Sequence, residues 1–245
     1  MLLTKKSKIM ARILLAGALL SAGLALQVQA LDTEVSVEFE DQAVEHDVKD
    51  AHGKIPDGAP KSKTDQGTLR IDKAFNLEFS KASTRSGSLN LKANGIAEDS
   101  TGKKLSPFVQ VSDDRGGAPG WRVTVKLKDG GLKKVDDDKK MLGAELKIKM
   151  THYRSEAGKT ESVPLAPEAF TSSVDTNLTT LNDNDCLILG AKPGYGQGVT
   201  SVSFGDVLGD NEQTDGVILS IFDASKVEAG TYKGIAEWKI SNVPA

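Results

Sequence analysis

The chain has 245 residues, 31 of them Lys or Arg against 34 Asp or Glu, and only 5% are aromatic. Four of the basic residues fall before Leu31, so the remainder carries 27 basic and 34 acidic groups, a net charge of −7 with histidine neutral. Such an acidic chain lacks the basic stripe that nucleic acid requires, and its one cysteine, Cys186, excludes an intramolecular disulfide.

The first element is a targeting pattern. Lys5, Lys6, Lys8 and Arg12 precede an apolar stretch of 14 residues from Ile13 to Leu26, and Val28-Gln29-Ala30 places small residues at a cleavage position. This is the pattern of a secretory signal peptide over residues 1–30, and it falls short of the roughly 20 residues of a bilayer span. No cysteine stands directly after the cleavage position, which Leu31 follows, and the tail after Trp238 is short and polar. The expectation is an exported product with no lipid anchor and no transmembrane segment after cleavage.

Residues 31–66 open with the brief alternation LDTEVSVEFEDQ and pass into DAHGKIPDGAPKSKTDQG, which has almost no large apolar side chain. Composition predicts a polar, flexible leader there, because so little burial cannot offset ordering entropy. From Gly67 the period changes to two. TLRIDKAFNLEFS carries Leu69, Ile71, Phe75, Leu77 and Phe79 at odd positions, and PFVQVSD, WRVTVKLK, AELKIKMTHY, VILSIF and TYKGIAEWKIS follow in the same style. Trp121, Val123, Val125 and Leu127 share one face against Arg122, Thr124, Lys126 and Lys128 on the other, as in half-buried antiparallel strands. Turn-formers separate the runs at 113–120, 128–131, 182–185, 192–198 and 209–216. The fold class predicted is all-β, an antiparallel β-sandwich-like domain over residues 67–245.

Little catalytic chemistry is spelled out. His46 and His52 lie in the polar leader and His152 stands alone at a strand end, with no Ser-His-Asp or HExxH spacing. Cys186 reads as a small buried apolar residue. Acid pairs exist at Asp113-Asp114, Asp136-Asp137-Asp138 and Asp183/Asp185, but each lies among turn-formers, where Asp caps and bends the backbone, and that reading outweighs a glycosidase pair. The same loops are rich in oxygen ligands without matching a calcium-loop spacing. No enzyme, metal or cofactor is expected.

The only tryptophans, Trp121 and Trp238, each precede an aliphatic by two residues, Val123 and Ile240. In a strand that spacing puts indole and aliphatic on one face, a face that packs into a core more often than it stacks on sugars. Tyr232, Gly234 and Ala236 extend the Trp238 face in the same register.

These residues carry a resemblance. SPFVQVSDDRGGAPGWRVTVKL and AGTYKGIAEWKISNVPA, together with GTLRIDKAFNLEFS and VTSVSFGD, are similar to segments of the WxL-domain cell-surface proteins of low-GC Gram-positive bacteria, over residues 67–245. The leucine of the family's name is Val123 in one copy and Ile240 in the other, side chains that preserve apolar packing. The resemblance implies a secreted, non-catalytic protein held non-covalently on the cell wall by binding peptidoglycan or another wall polymer. It also implies association with other WxL proteins and a membrane-anchored companion, and the alternative reading is docking on that companion rather than on the wall. The ligand-binding residues it implies are Trp121, Val123, Trp238, Ile240, Asp113, Asp114, Arg115 and Tyr232. The cations Arg115, Lys126 and Lys128 could meet wall carboxylates or phosphates, but a solvated strand face with a loop salt bridge outweighs that reading.

Overall fold

Period-two alternation becomes strand over most of its extent. A computed structural model describes residues 36–84, 87–98, 101–155, 159–209 and 212–243, and the signal-peptide region lies outside them. Two units are distinguished, residues 1–40 and 41–245; in the first, residues 36–40 are exposed and form no regular element. The second holds nineteen strands and no α-helix among the described residues. In chain order the first ten are β1 (Leu69–Ala74), β2 (Leu89–Asn94), β3 (Ile96–Ala97), β4 (Lys104–Leu105), β5 (Phe108–Asp113), β6 (Trp121–Leu127), β7 (Lys133–Lys134), β8 (Asp137–Met141), β9 (Ala144–Ile148) and β10 (His152–Ser155). The rest are β11 (Lys159–Ser162), β12 (Phe170–Thr171), β13 (Thr179–Leu181), β14 (Cys186–Ala191), β15 (Gly198–Ser203), β16 (Val207–Leu208), β17 (Gln213–Ile221), β18 (Tyr232–Lys233) and β19 (Ala236–Ser241).

They form three larger antiparallel sheets. One runs β1-β5-β15-β10-β11, a second β12-β14-β6-β19, and a third β13-β9-β17-β16 with β2 also on β17. A three-stranded β18-β7-β8 ribbon and the β3-β4 pair complete the set. The inner faces meet in one core that joins Val109, Val111, Trp121, Val123, Val125, Ile148, Ile188, Val202, Val217 and Leu219. Aromatic rings pack within and between sheets: Phe170 of β12 lies 6.5 Å from Trp121 of its own sheet and 5.8 Å from Tyr153 of β10 in the facing one, edge-on to the latter. The antiparallel β-sandwich-like class follows directly from this packing.

Local departures from the simple pattern have physical causes. The run from Leu69 bulges between Ile71 and Lys73 and ends at Ala74, because Asp72 turns toward Arg70, Gln110 and Ser112. Gln213–Gly216, read above as turn, belongs to β17. Gly216 fits there because a Cβ on it would lie 2.1 Å from the Gly205 amide nitrogen. β14 and β15 lack clean alternation since four residues of each are buried in succession.

The polar stretch 41–62 differs most from its composition. It contains no strand, yet Val48, Asp50, Ala51 and Ser62 are buried. It lies as a strap over the outer face of the β1-β5-β15 sheet, which is why every residue of β5 is buried. Polar side chains of the sheet bond the strap's backbone: Lys49 N–H donates to Gln110 Oε1 (2.7 Å), Gln110 Nε2 to the Asp47 carbonyl (3.1 Å) and Ser201 Oγ to the Lys49 carbonyl (2.7 Å). Ala51 N–H donates to Ser203 Oγ (3.2 Å), and Thr160 Oγ1 to the Ala51 carbonyl (2.5 Å). Beneath it Arg70, 2% exposed, donates from Nη2 to the Val44 carbonyl and from Nη1 to Asp114 Oδ2 at 2.7 Å. Arg70 Nε faces Asp72 Oδ1 at 3.1 Å as an ion pair without hydrogen-bond alignment. Composition hid this because the strap's partners are polar residues on a strand face that alternation assigns to solvent.

Candidate functional site: the paired tryptophan strands

The two W-x-aliphatic stretches are neighbours. β19 pairs antiparallel with β6, setting Trp238 opposite Val125, Ile240 opposite Val123, and Lys239 opposite Thr124. Opposed residues share a face, so indoles and aliphatics point into the core together, while Arg122, Thr124, Lys126, Glu237, Lys239 and Ser241 form the outer face. The repetition of the pattern is thus two adjacent rungs of one sheet, brought together from distant parts of the chain.

Trp121 is fully buried. Its Nε1–H donates to the Gly196 carbonyl at 2.9 Å, and a Cβ on Gly196 would lie 2.6 Å from that nitrogen and 2.4 Å from Ala191 Cβ. Gly120, directly before the indole, has φ of 85° and its absent Cβ would meet the Ala191 carbonyl oxygen at 2.6 Å. Both glycines are therefore steric requirements of the indole's slot. Trp238 is partly buried, packed on the core with its ring 6.0 Å from Phe204. Val123 is buried, and Ile240 is partly buried against the core.

The Asp-Asp-Arg segment is a clamp. Arg115 Nε and Nη2 donate to the two oxygens of Asp113 at 2.7 and 2.9 Å, and Nη2 also to the Gly120 carbonyl at 2.9 Å. Asp113 itself is fully buried. Asp114 faces the other way and accepts from the Val44 amide (2.8 Å) and Arg70 Nη1 (2.7 Å), with His46 Nε2 at 2.8 Å. Burial alone would raise the Asp114 carboxyl, but those three partners outweigh it and hold it below the ordinary aspartate value. Both carboxylates are thus occupied, one tying the glycine-rich loop to Trp121, the other tying the strap to the sheet.

Tyr232 lies apart. It sits in β18, paired with Lys134 of β7, and its hydroxyl donates to the Glu228 carbonyl at 3.2 Å; Gly234 and Ile235 separate it from β19. Cys186 is partly buried opposite Val125, and burial pushes its thiol pKa up. Lys128 caps the end of β6, its amide donating to the Ile235 carbonyl.

The outer face of the tryptophan strands carries the accessible chemistry. A groove of about 560 Å³ is lined by Arg122, Thr124, Asp185, Leu187, Lys239 and Ser241, among others. Lys126 pairs with Glu237 at 3.3 Å, and Lys239 pairs with Glu237 at 3.3 Å and with Asp185 at 3.8 Å. The Glu237 hydrogen bond raises the Lys126 ammonium pKa, and the Lys126 hydrogen bond lowers that of Glu237. Hydroxyls, a carboxylate, cations and an aliphatic floor in one trough suit a hydrated polymer with hydroxyl and carboxylate groups. Alternation alone pointed to Arg122, Thr124 and Lys126; Asp185 and Leu187 were not legible, since nothing local announces that β14 lies beside β6.

The domain is thus all-β, with its two tryptophan strands side by side in one sheet and a polar trough on their reverse. The WxL family model, described as a WxL domain for surface cell-wall binding, matches residues 27–244, and the chain belongs to that family. Comparison with curated proteins and with solved structures finds no match. The family is one of wall binding rather than catalysis and indicates a cell-surface location. No helix among the described residues is long and apolar enough to cross a membrane.

Proposed function

We propose that this protein is secreted and held non-covalently on the Gram-positive cell wall by peptidoglycan, which lies along the outer face of β6 and β19. The domain of this reading is residues 67–245, with the 41–62 strap as part of its folded body. The supporting observation is the trough of Arg122, Asp185, Lys239 and Ser241 on the reverse of the two W-x-aliphatic strands. The tryptophans act from behind: buried Trp121 shapes the sheet that presents the trough, and stacking of sugars on its ring is not available in this fold. Hydroxyls and Asp185 hydrogen-bond glycan, and Arg122 and Lys239 meet stem-peptide carboxylates.

The test is co-sedimentation with purified, protein-free sacculi across a salt series. Wild type is expected in the pellet, and the double variant Arg122→Glu with Lys239→Glu, checked for folding by circular dichroism, is expected to lose roughly ten-fold or more in affinity. Wild type in the supernatant overturns direct wall binding. The second reading, docking on a membrane-anchored companion protein, is favoured by Val135, Met141 and Ile235, which are exposed on and beside the β18-β7-β8 ribbon; it predicts pelleting only after that companion is added.

A further inference from the structure

His52 and His152, two of the chain's three histidines, come from the strap and from the start of β10, yet their rings meet with centroids 4.6 Å apart and planes tilted by 60°. Asp206, just beyond β15, joins them: its Oδ1 is 3.0 Å from His152 Nε2. One donor atom from each of the three lies within 4.8 Å of the other two. Each residue is also fixed from behind. The His52 amide donates to Asp50 Oδ1 at 2.9 Å, His152 Nδ1 lies 3.2 Å from Ser162 Oγ, and the Asp206 amide donates to Asp215 Oδ1 at 2.8 Å. His52 and Asp206 border a cavity of about 360 Å³ that also reaches Asp50 and Glu98.

A histidine–carboxylate ion pair accounts for His152 and Asp206 alone. It does not account for a second imidazole, from a different segment, facing the same point. Two imidazoles and one carboxylate form the ligand set of borderline divalent ions such as zinc, whereas calcium and magnesium take oxygen ligands. Bond lengths of about 2.0–2.1 Å separate tetrahedral ligand atoms by roughly 3.3–3.5 Å, close to the 3.0 Å between Asp206 and His152 and inside the 4.8 Å within which all three donor atoms lie. His52 and Asp206 are exposed and His152 partly so, leaving the side chains room for that small adjustment. The Ser162 hydroxyl already stands where a ligating imidazole's second nitrogen needs a partner.

We propose that His52, His152 and Asp206 form a divalent transition-metal site of the zinc class, which fastens the strap to the end of the β15-β10 strand pair and leaves its remaining coordination position toward the cavity. This is independent of wall binding and rests on different residues. The test is calorimetric titration of Zn²⁺ into tag-free, chelator-treated mature protein, alongside proteolysis within residues 41–62 with and without Zn²⁺. One ion per chain is expected, with affinity at least ten-fold weaker in His52→Ala, His152→Ala and Asp206→Asn and about ten-fold weaker in Ser162→Ala. Zn²⁺ is expected to slow strap cleavage in wild type and not in His52→Ala. If His152→Ala is not folded by circular dichroism, His152→Gln takes its place. Absence of saturable one-ion uptake, or uptake unchanged in His52→Ala, overturns the proposal.

Discussion

At the scale of single residues, the family signature of this chain is mostly a set of steric and electrostatic fittings around one indole. Gly196 and Gly120 leave the space that Trp121 fills, and Arg115 ties Asp113 to the carbonyl just before it. Replacing Gly196 with Ala puts a methyl 2.4 Å from Ala191 Cβ at a backbone φ of +77°, so a loss of about 2–4 kcal/mol is expected in urea unfolding. Trp121→Phe keeps much of the apolar volume but leaves the Gly196 carbonyl without its 2.9 Å donor, with an expected loss of about 1–3 kcal/mol by the same measurement. The face on which Trp121 and Val123 lie was legible in the sequence, because W-x-aliphatic in a period-two run fixes a face. The roles of Asp113 and Asp114 were not: adjacent residues of a strand end point to opposite sides, and only the fold shows that one meets Arg115 and the other Arg70.

At the scale of elements, the strap shows where composition misleads. Residues 41–62 are poor in apolar side chains, but they need few, since the sheet supplies hydrogen-bonding side chains at Arg70, Gln110, Ser201 and Ser203. Period-two reasoning located β1 and β5 and read their second face as solvated; nothing local to those strands tells that a distant polar segment returns to cover them. Arg70→Met strips the charge partner from buried Asp72 and Asp114, and about 3–5 kcal/mol of destabilisation is expected, with faster proteolysis inside 41–62. Acid acts on the same junction. The Asp114 carboxyl is held lower in the folded state, so its contribution is complete above about pH 4 and drains away as pH falls through the folded value. Asp50, whose carboxyl burial pushes up, works in the opposite sense, favouring the fold at low pH and losing that contribution as pH rises. The difference in urea stability between wild type and Asp114→Asn is therefore expected to shrink steadily below pH 4.

At the scale of the whole molecule, the sheets are closed by segments far apart in sequence. β6 takes β14 on one edge and β19, near the C-terminal end of the described residues, on the other. Removing residues 236–245 exposes the hydrogen-bonding edge of β6 together with the apolar face of Val123 and Val125. Such an edge templates association, and the truncated chain is expected to elute as aggregate in size-exclusion chromatography where the full chain elutes as a discrete species. The sandwich-like class was legible because alternation and turn-formers recur along the sequence. Which strands share a sheet was not, because pairing between β6 and β19 depends on no local signal.

The strap has a temporal consequence. Residues 41–62 precede every strand among the described residues in the order of synthesis, yet the groups that hold them come from Arg70, Gln110, Thr160, Ser201 and Ser203. Whichever way the chain is delivered, from ribosome or through a translocation pore, its early portion must wait uncovered until residues beyond 200 have arrived. Long-range closure of this kind makes folding slow and leaves strand edges open meanwhile. A segment soluble enough to wait without sticking is what that schedule demands, and the Asp-, Lys- and Gly-rich composition of this stretch meets the demand: its polarity is a property needed before the fold exists as well as within it.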